Sequence, residues 1–199
     1  MPDLFQALLS AGAVSARTQP VLAINDRFTL RPWQERDVLV VRAAFDVPDI
    51  QRWHPRRMDS DEEALAWITR WRREWQQEKA ANWAIADNDR AVGQVGLRGV
   101  DLVQAVAELS YWVLPEARGA GLAARAVRPM TRWCFDTVGF HRLFLKHSTQ
   151  NMASCRVAHT AGYVSEGTLR SSMLHADGLH DAHMHSRLRT DERTDNGSA

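Results

Sequence analysis

At 199 residues with a formal net charge of +1, the chain is long enough for one domain with a substantial core, and it carries no global field that would favour nucleic acid or an anionic membrane. Hydrophobic residues at 45% and charged residues at 25% are ordinary for a globular protein. Cys134 and Cys155 show no metal-ligand spacing, which argues against a disulfide scaffold and fits a reducing compartment.

Residues 1–27 read as an appendage. Pro2–Val14 is amphipathic, with Leu4, Phe5, Leu8 and Leu9 on one side of a short helix, and a Ser/Thr/Gln/Pro linker follows to Pro20. Asp3 and the lack of a basic n-region argue against a signal peptide. No apolar run approaches the roughly 20 residues that cross a bilayer, so the expectation is a cytoplasmic protein. Phe28–Arg31 reads as a strand closed by Pro32, and Glu35–Phe45 as a helix stopped by Pro48. Asp59–Lys79 reads as a longer helix, capped by Ser60 or Asp59, with Leu65, Ile68, Trp71 and Trp75 as its buried stripe.

Strands follow at Trp83–Ala86, Ala91–Val100 and Val103–Leu114, the first two joined by a turn at Asp87–Arg90. A glycine-bearing loop, Pro115–Gly121, leads into a helix through about Val138. Arg142–His147 reads as a strand and Asn151–Ala161 as a helix ended by Gly162. Tyr163–Leu174 and Ala182–Leu188 pair around Asp177–Gly178, and the polar tail Thr190–Ala199 reads as frayed. The alternation implies a single α+β (α/β) domain with a mostly antiparallel sheet of about seven strands, spanning 28–189.

The strongest chemical signal is the join at Arg118-Gly119-Ala120-Gly121-Leu122-Ala123. A helix N-terminus presents unsatisfied N–H groups and about half a positive charge, which suits a phosphate. Two glycines allow close backbone approach and positive φ, and Arg118 adds a cation. The Gly-Lys-Ser/Thr ending of a mononucleotide loop and the third glycine of a dinucleotide fingerprint are both absent. A plain flexible loop is the bland alternative.

This stretch resembles the Arg/Gln-x-x-Gly-x-Gly/Ala motif of the GNAT acetyltransferases. Leu30-Arg31-Pro32-Trp33 with Asp37, Ala107–Val113, Asn151-x-x-Ser154 with Ala161-Gly162-Tyr163, and Asp177-Gly178 with Asp181 are similar, in the same order, to segments of the branch containing the ribosomal-protein alanine acetyltransferases. The likeness covers residues 27–189. It implies a sheet splayed between the family's fourth and fifth strands and flanked by helices. It also implies acetyl-CoA as donor, with its pyrophosphate at Arg118–Ala123 and its pantetheine arm beside the backbone of Trp112, Val113 and Leu114. The acceptor is a primary amine, of a peptide or a small molecule; a homodimer is possible and no metal is needed.

Glu108 shares a strand face with Ser110 and Trp112, and it is the candidate base that frees the amine of its proton; its alternative is a structural ion pair. The wider family protonates the leaving thiolate with a tyrosine on the last helix. That tyrosine is missing here, and Ser154 matches the serine that this branch carries at the corresponding turn. Asn151, one turn earlier, matches a holder of the pantetheine, although Asn and Ser are equally good helix caps. Trp53 and Arg56 sit in the loop that walls the family's acceptor side, where core packing and solvent exposure are the alternatives. His183 and His185 alternate on one strand face, but no third ligand is evident, so no metal site is expected. Succinyl-CoA as donor, with Arg56 or Arg57 meeting its carboxylate, is a second reading. A catalytically idle acyl-CoA-binding module is a third, of another class.

Overall fold

The computed structural model describes residues 4–191. In chain order the elements are β1 (Leu22–Ala23), β2 (Phe28–Pro32), α1 (Val38–Ala44), α2 (Pro48–Trp53), α3 (Asp61–Gln76), β3 (Ala80–Asp87), β4 (Arg90–Asp101) and β5 (Val106–Val113). Then come α4 (Leu122–Arg132), β6 (Arg142–Ser148), α5 (Met152–Thr160), β7 (Val164–His175) and β8 (Gly178–Leu188). Among the described residues, eight strands form one sheet in the order β1-β2-β3-β4-β5-β6-β8-β7. Neighbours are antiparallel except β5 and β6, which α4 joins by a crossover.

The single parallel pair creates the site. Its pairing runs only from Val106–Arg142 to Glu108–Phe144 and then stops. Beyond Glu108 the two strands diverge. This is the splay expected between the family's fourth and fifth strands, which are β5 and β6 here because β1 precedes them.

Side-chain alternation sends β5 into two cores. Ala107, Leu109 and Val113 join Leu122, Ala126, Val127 and Met130 of α4, with Leu143 and Leu145 of β6. Trp112 and Leu114 join Trp33, Phe45, Trp67 and Ile68 beneath α1 and α3. The rings in that second core meet mostly edge-on, Trp33–Trp67 at 5.5 Å and Phe45–Trp67 at 5.9 Å. A bidentate pair of Arg31 with Asp37, both 4% exposed, ties β2 to the turn before α1 at 2.7 and 2.9 Å.

Several expected elements differ from those observed. Residues 4–21 contain turns instead of the helix expected over Pro2–Val14, of which Pro2 and Asp3 lie outside the described residues, and Leu4, Phe5 and Leu8 are exposed. Leu9 and Val14 enter the core, while the Glu78 carboxylate accepts from the N–H groups of Gly12, Val14 and Ser15. A short isolated helix is marginal in water, and three charge-assisted bonds outweigh it. Pro48 opens α2 as its first residue and does not merely close α1, since its fixed φ and missing N–H suit that position. The α3 stripe is Ala64, Trp67, Ile68 and Trp75, with Leu65 turned to solvent, because Trp67 is the ring that reaches Trp33 and Phe45. Ser60 caps α3 as expected, accepting from the Glu63 N–H at 3.2 Å. β5 starts at Val106, three residues later than expected, because 102–105 form a turn. The frayed tail expected at 190–199 lies, from residue 192, outside the described residues.

Candidate active site

A cleft of about 880 Å³ opens where β5 and β6 part. Its walls are Leu109–Val113 of β5, Leu145–Ser148 of β6, the first turns of α5, and α2 with the loop after it. One end is closed by the loop from Ala117 to Ala123 and the start of α4. At the other end His175 of β7 reaches back to α2, where its Nδ1 donates to the Arg52 carbonyl at 3.0 Å and its ring meets Trp53 edge-on at 5.6 Å.

The loop end is built for an anion. Gly121 is the N-cap of α4 at φ 66 and ψ 20, a left-handed conformation that costs an L side chain about 1–2 kcal/mol. Gly119 is also left-handed, and a Cβ added at either glycine would meet no atom within 4 Å. The first N–H groups of α4, from Leu122 and Ala123 onward, therefore open onto uncluttered space. Leu122 itself anchors the turn, buried against the core, while Ala120 is exposed and does not line the cleft. Arg118 behaves otherwise than a free cation would. Its Nε donates to the Val113 carbonyl at 2.9 Å and its Nη1 pairs with Asp49 at 2.9 Å, strapping the loop to β5 and α2.

The β5 edge is specific about which backbone it offers. The Leu114 N–H is bonded to the Val92 carbonyl at 2.9 Å, so Leu114 and Trp112 turn their backbone to β4, and Val113 and Tyr111 turn theirs to the gap. Of the three positions expected beside a pantetheine arm, only Val113 turns its backbone to the gap, as Tyr111 does. The Tyr111 carbonyl accepts from His54 Nε2 at 3.1 Å, as the Val113 carbonyl accepts from Arg118. Burial holds the His54 imidazole down at about 4, so it is neutral near pH 7.

A match to the family model "Acetyltransferase (GNAT) domain" covers residues 27–164. The chain belongs to the GNAT acetyltransferase family. It is similar to the uncharacterized N-acetyltransferase YoaA of Bacillus subtilis (strain 168), at 26% identity over 87% of this chain and 99% of that protein. Among solved structures, the ribosomal-protein-S5-alanine acetyltransferase from Vibrio fischeri superposes with a TM-score of 0.78 at 18% identity, covering 86% of this chain and 98% of the other. The microcin C7 self immunity acetyltransferase MccE, in complex with acetyl-CoA and AMP, superposes at 0.75 with 19% identity, covering 83% and 94%. This GNAT chain is an acyl-CoA-dependent N-acyltransferase.

The GNAT cleft has a hydroxyl pair at its midpoint. Tyr111 projects from β5 and its hydroxyl lies 2.6 Å from Ser154 Oγ on the first turn of α5. Burial pushes the phenol up to about 12, so it stays protonated. Sequence reasoning looked for a tyrosine on the helix and passed over one on the facing strand. The signal was present: Tyr111 is offset by one from Ser110 and Trp112, which places it on the α5 side. The other tyrosine, Tyr163, is buried against Thr131 at 2.8 Å. Asn151 caps α5, its Oδ1 accepting from the Ser154 N–H at 3.0 Å, and lines the cleft.

Glu108 lies where β5 and β6 part, with its Oε1 accepting from Arg98 Nη2 at 2.7 Å. Arg98 lines the cleft and Glu108 does not, so the ion pair given as the alternative for Glu108 is present. At the α2 end, Trp53 is a lining residue, under the Arg52 guanidinium at 4.8 Å. Arg56 is exposed, sits near Arg70 and Arg98, and does not line the cleft. Arg57 is taken by Asp59 at 2.7 Å. Besides Arg118, the cations lining the cleft are Arg52, Arg98, Lys146 and Arg156, which the sequence did not single out. Cys134 is buried, which pushes its thiol up and leaves it inert.

Proposed function

We propose that the chain transfers an acetyl group from acetyl-CoA to a primary amine by direct attack of the amine on the thioester. The observation that carries this reading is the cleft itself. It joins an anion-receptive helix start at Gly121 to a gap with an exposed strand edge, and the Tyr111–Ser154 hydroxyls stand between them. The diphosphate lies against the N–H groups of Gly119 to Ala123, the pantetheine amides pair with the Tyr111 and Val113 N–H groups, and the Asn151 side-chain NH2 donates to a carbonyl of the arm.

The incoming amine must be neutral, because an alkyl ammonium near pKa 10 has no lone pair to give. Glu108 is the base in this reading, with Oε1 held by Arg98 and Oε2 receiving the proton through water. As the tetrahedral intermediate collapses, negative charge moves to sulfur. Tyr111, kept protonated, donates a hydrogen bond to that charge, and Ser154 orients the phenol. The acceptor enters beside Trp53, Arg52 and Arg98, an aromatic and cationic rim that suits a peptide N-terminus or a small amine carrying an acidic group. The similarity to a ribosomal-protein-alanine acetyltransferase supports the peptide acceptor.

The test is release of free CoA thiol from acetyl-CoA over a panel of peptides and small amines. Turnover with peptide N-termini and a product mass increased by one acetyl group are expected. No turnover over the panel, with acetyl-CoA still bound, would identify a binding module instead. A Glu108→Gln variant with unchanged turnover at every pH would remove Glu108 from the role of base.

A further inference from the structure

We propose that His147, Cys155, His183 and His185 form a binding site for a single borderline-soft divalent cation, of which Zn2+ is the type. The fold assembles what the sequence keeps apart. His147 on β6 stands directly opposite His183 on β8, and His185 lies two residues on, so all three imidazoles share one sheet face. The first turn of α5 lays the Cys155 thiol over them. One ligand atom from each of the four lies within 4.8 Å of all the others. In a tetrahedral zinc site, bonds of about 2.0–2.3 Å put neighbouring ligand atoms roughly 3.3–3.6 Å apart. His147 Nε2 and His185 Nε2 are already 3.2 Å apart, so small side-chain rotations complete the shell.

The surrounding bonds orient these ligands as a metal requires. His147 Nδ1 donates to the Ser148 carbonyl at 2.8 Å, which fixes that tautomer and leaves the Nε2 lone pair facing the cluster. His185 Nδ1 faces the backbone of Tyr163 without a well-formed hydrogen bond, so it can take the ring proton when Nε2 turns its lone pair to a cation. The edge of His159 supports the His185 ring at 5.1 Å. Binding releases one proton, from the Cys155 thiol, and shifts the His185 proton from Nε2 to Nδ1. Three imidazoles and a thiolate select Zn2+, Co2+ or Ni2+ over Mg2+ or Ca2+. Four protein ligands make a closed site whose work is structural. It clamps the first turn of α5, where Ser154 adjoins Cys155, to β6 and β8.

The experiment uses untagged full-length protein stripped by a chelator and dialysed against Zn2+ or Co2+. One ion per chain is expected, with a raised Tm. The Co2+ form should show intense tetrahedral d–d bands and a thiolate charge-transfer band. Cys155→Ser should lose the charge-transfer band, and His183→Ala should weaken Zn2+ binding by at least about tenfold. His180→Ala, at a histidine outside the cluster, should change neither. The near-isosteric Cys155→Ser is checked for folding by circular dichroism without metal. Absence of stoichiometric Zn2+, a Co2+ spectrum indifferent to Cys155→Ser, or loss of the ion in His180→Ala would each overturn the proposal.

Discussion

Replacing Gly121 by Gln and by Glu separates the backbone role of this position from its electrostatic one. Both side chains meet the same strain at φ 66 and the same open space, with no atom within 4 Å of the new Cβ. The shared strain is about 1–2 kcal/mol, which for a chain of this size lowers Tm by roughly 2–8 °C in either variant. Only Glu adds charge. A carboxylate roughly 5 Å from a diphosphate, at an effective dielectric of about 20, meets about 3 kcal/mol of repulsion per unit charge before screening. Side-chain freedom and salt reduce the net to about 1–3 kcal/mol, so Glu should weaken acetyl-CoA binding by roughly 10- to 100-fold relative to Gln. Isothermal titration calorimetry of acetyl-CoA into both variants, at low and at high salt, measures the gap and its screening. Equal Kd values for Gln and Glu would refute the placement of the diphosphate at the start of α4.

Three further outcomes follow from named contacts. Tyr111→Phe removes one hydrogen bond to developing sulfur charge, worth about 1.5–3 kcal/mol. It should therefore cut kcat roughly 10- to 100-fold with little change in acetyl-CoA affinity, and an unchanged kcat would dismiss the phenol. Asp37→Ala removes both bonds of the buried pair while Arg31 keeps Asp89, whose carboxylate lies 2.8 Å from its Nε, so urea denaturation should show a loss of about 1.5–3 kcal/mol. His54 and His185 are held down at about 4 by burial, while an unfolded histidine titrates near 6.5. Between those values the unfolded chain binds more protons, so stability should be flat above about pH 6.5 and fall as pH drops toward 4. The loss is at most about 3 kcal/mol per histidine, less for His185 because His147 titrates with it. Metal-free protein with equal urea midpoints at pH 7.5 and pH 5 would contradict this.

Strand and helix positions were legible where local pattern and burial agreed. The Asp87–Arg90 turn, the Ser60 cap, the glycine-bearing loop before α4 and the Gly162 stop each rest on chemistry within a few residues of the signal. Reading failed where a distant partner decided the outcome. The amphipathic run before Val14 was diverted by Glu78, more than 60 positions away, and the α3 stripe was set by rings of Trp33 and Phe45. In the site, the expected roles of Gly119, Gly121, Ser154 and Asn151 could be placed on a helix start and a helix cap from spacing alone. Arg118 and the backbone of Trp112 and Leu114 took other partners, and Arg56 stands outside the cleft, for reasons that no spacing contains.

Apart from β1 and α2, the sequence by itself determined the order of elements from β2 onward, together with the left-handed turn at Gly121 and the membership of the chain in its family, because these depend on residues adjacent along the chain. Tertiary structure alone decided that Tyr111 would meet Ser154, that Arg98 would hold Glu108, and that four ligands from β6, α5 and β8 would converge. For Tyr111 and Ser154 the physical reason is the divergence of β5 from β6 after Glu108, and for the other two it is the register of β4 on β5 and of β6 on β8. Where two strands stop pairing, side chains 40 residues apart become neighbours across a gap, and no local periodicity records which of them will face it.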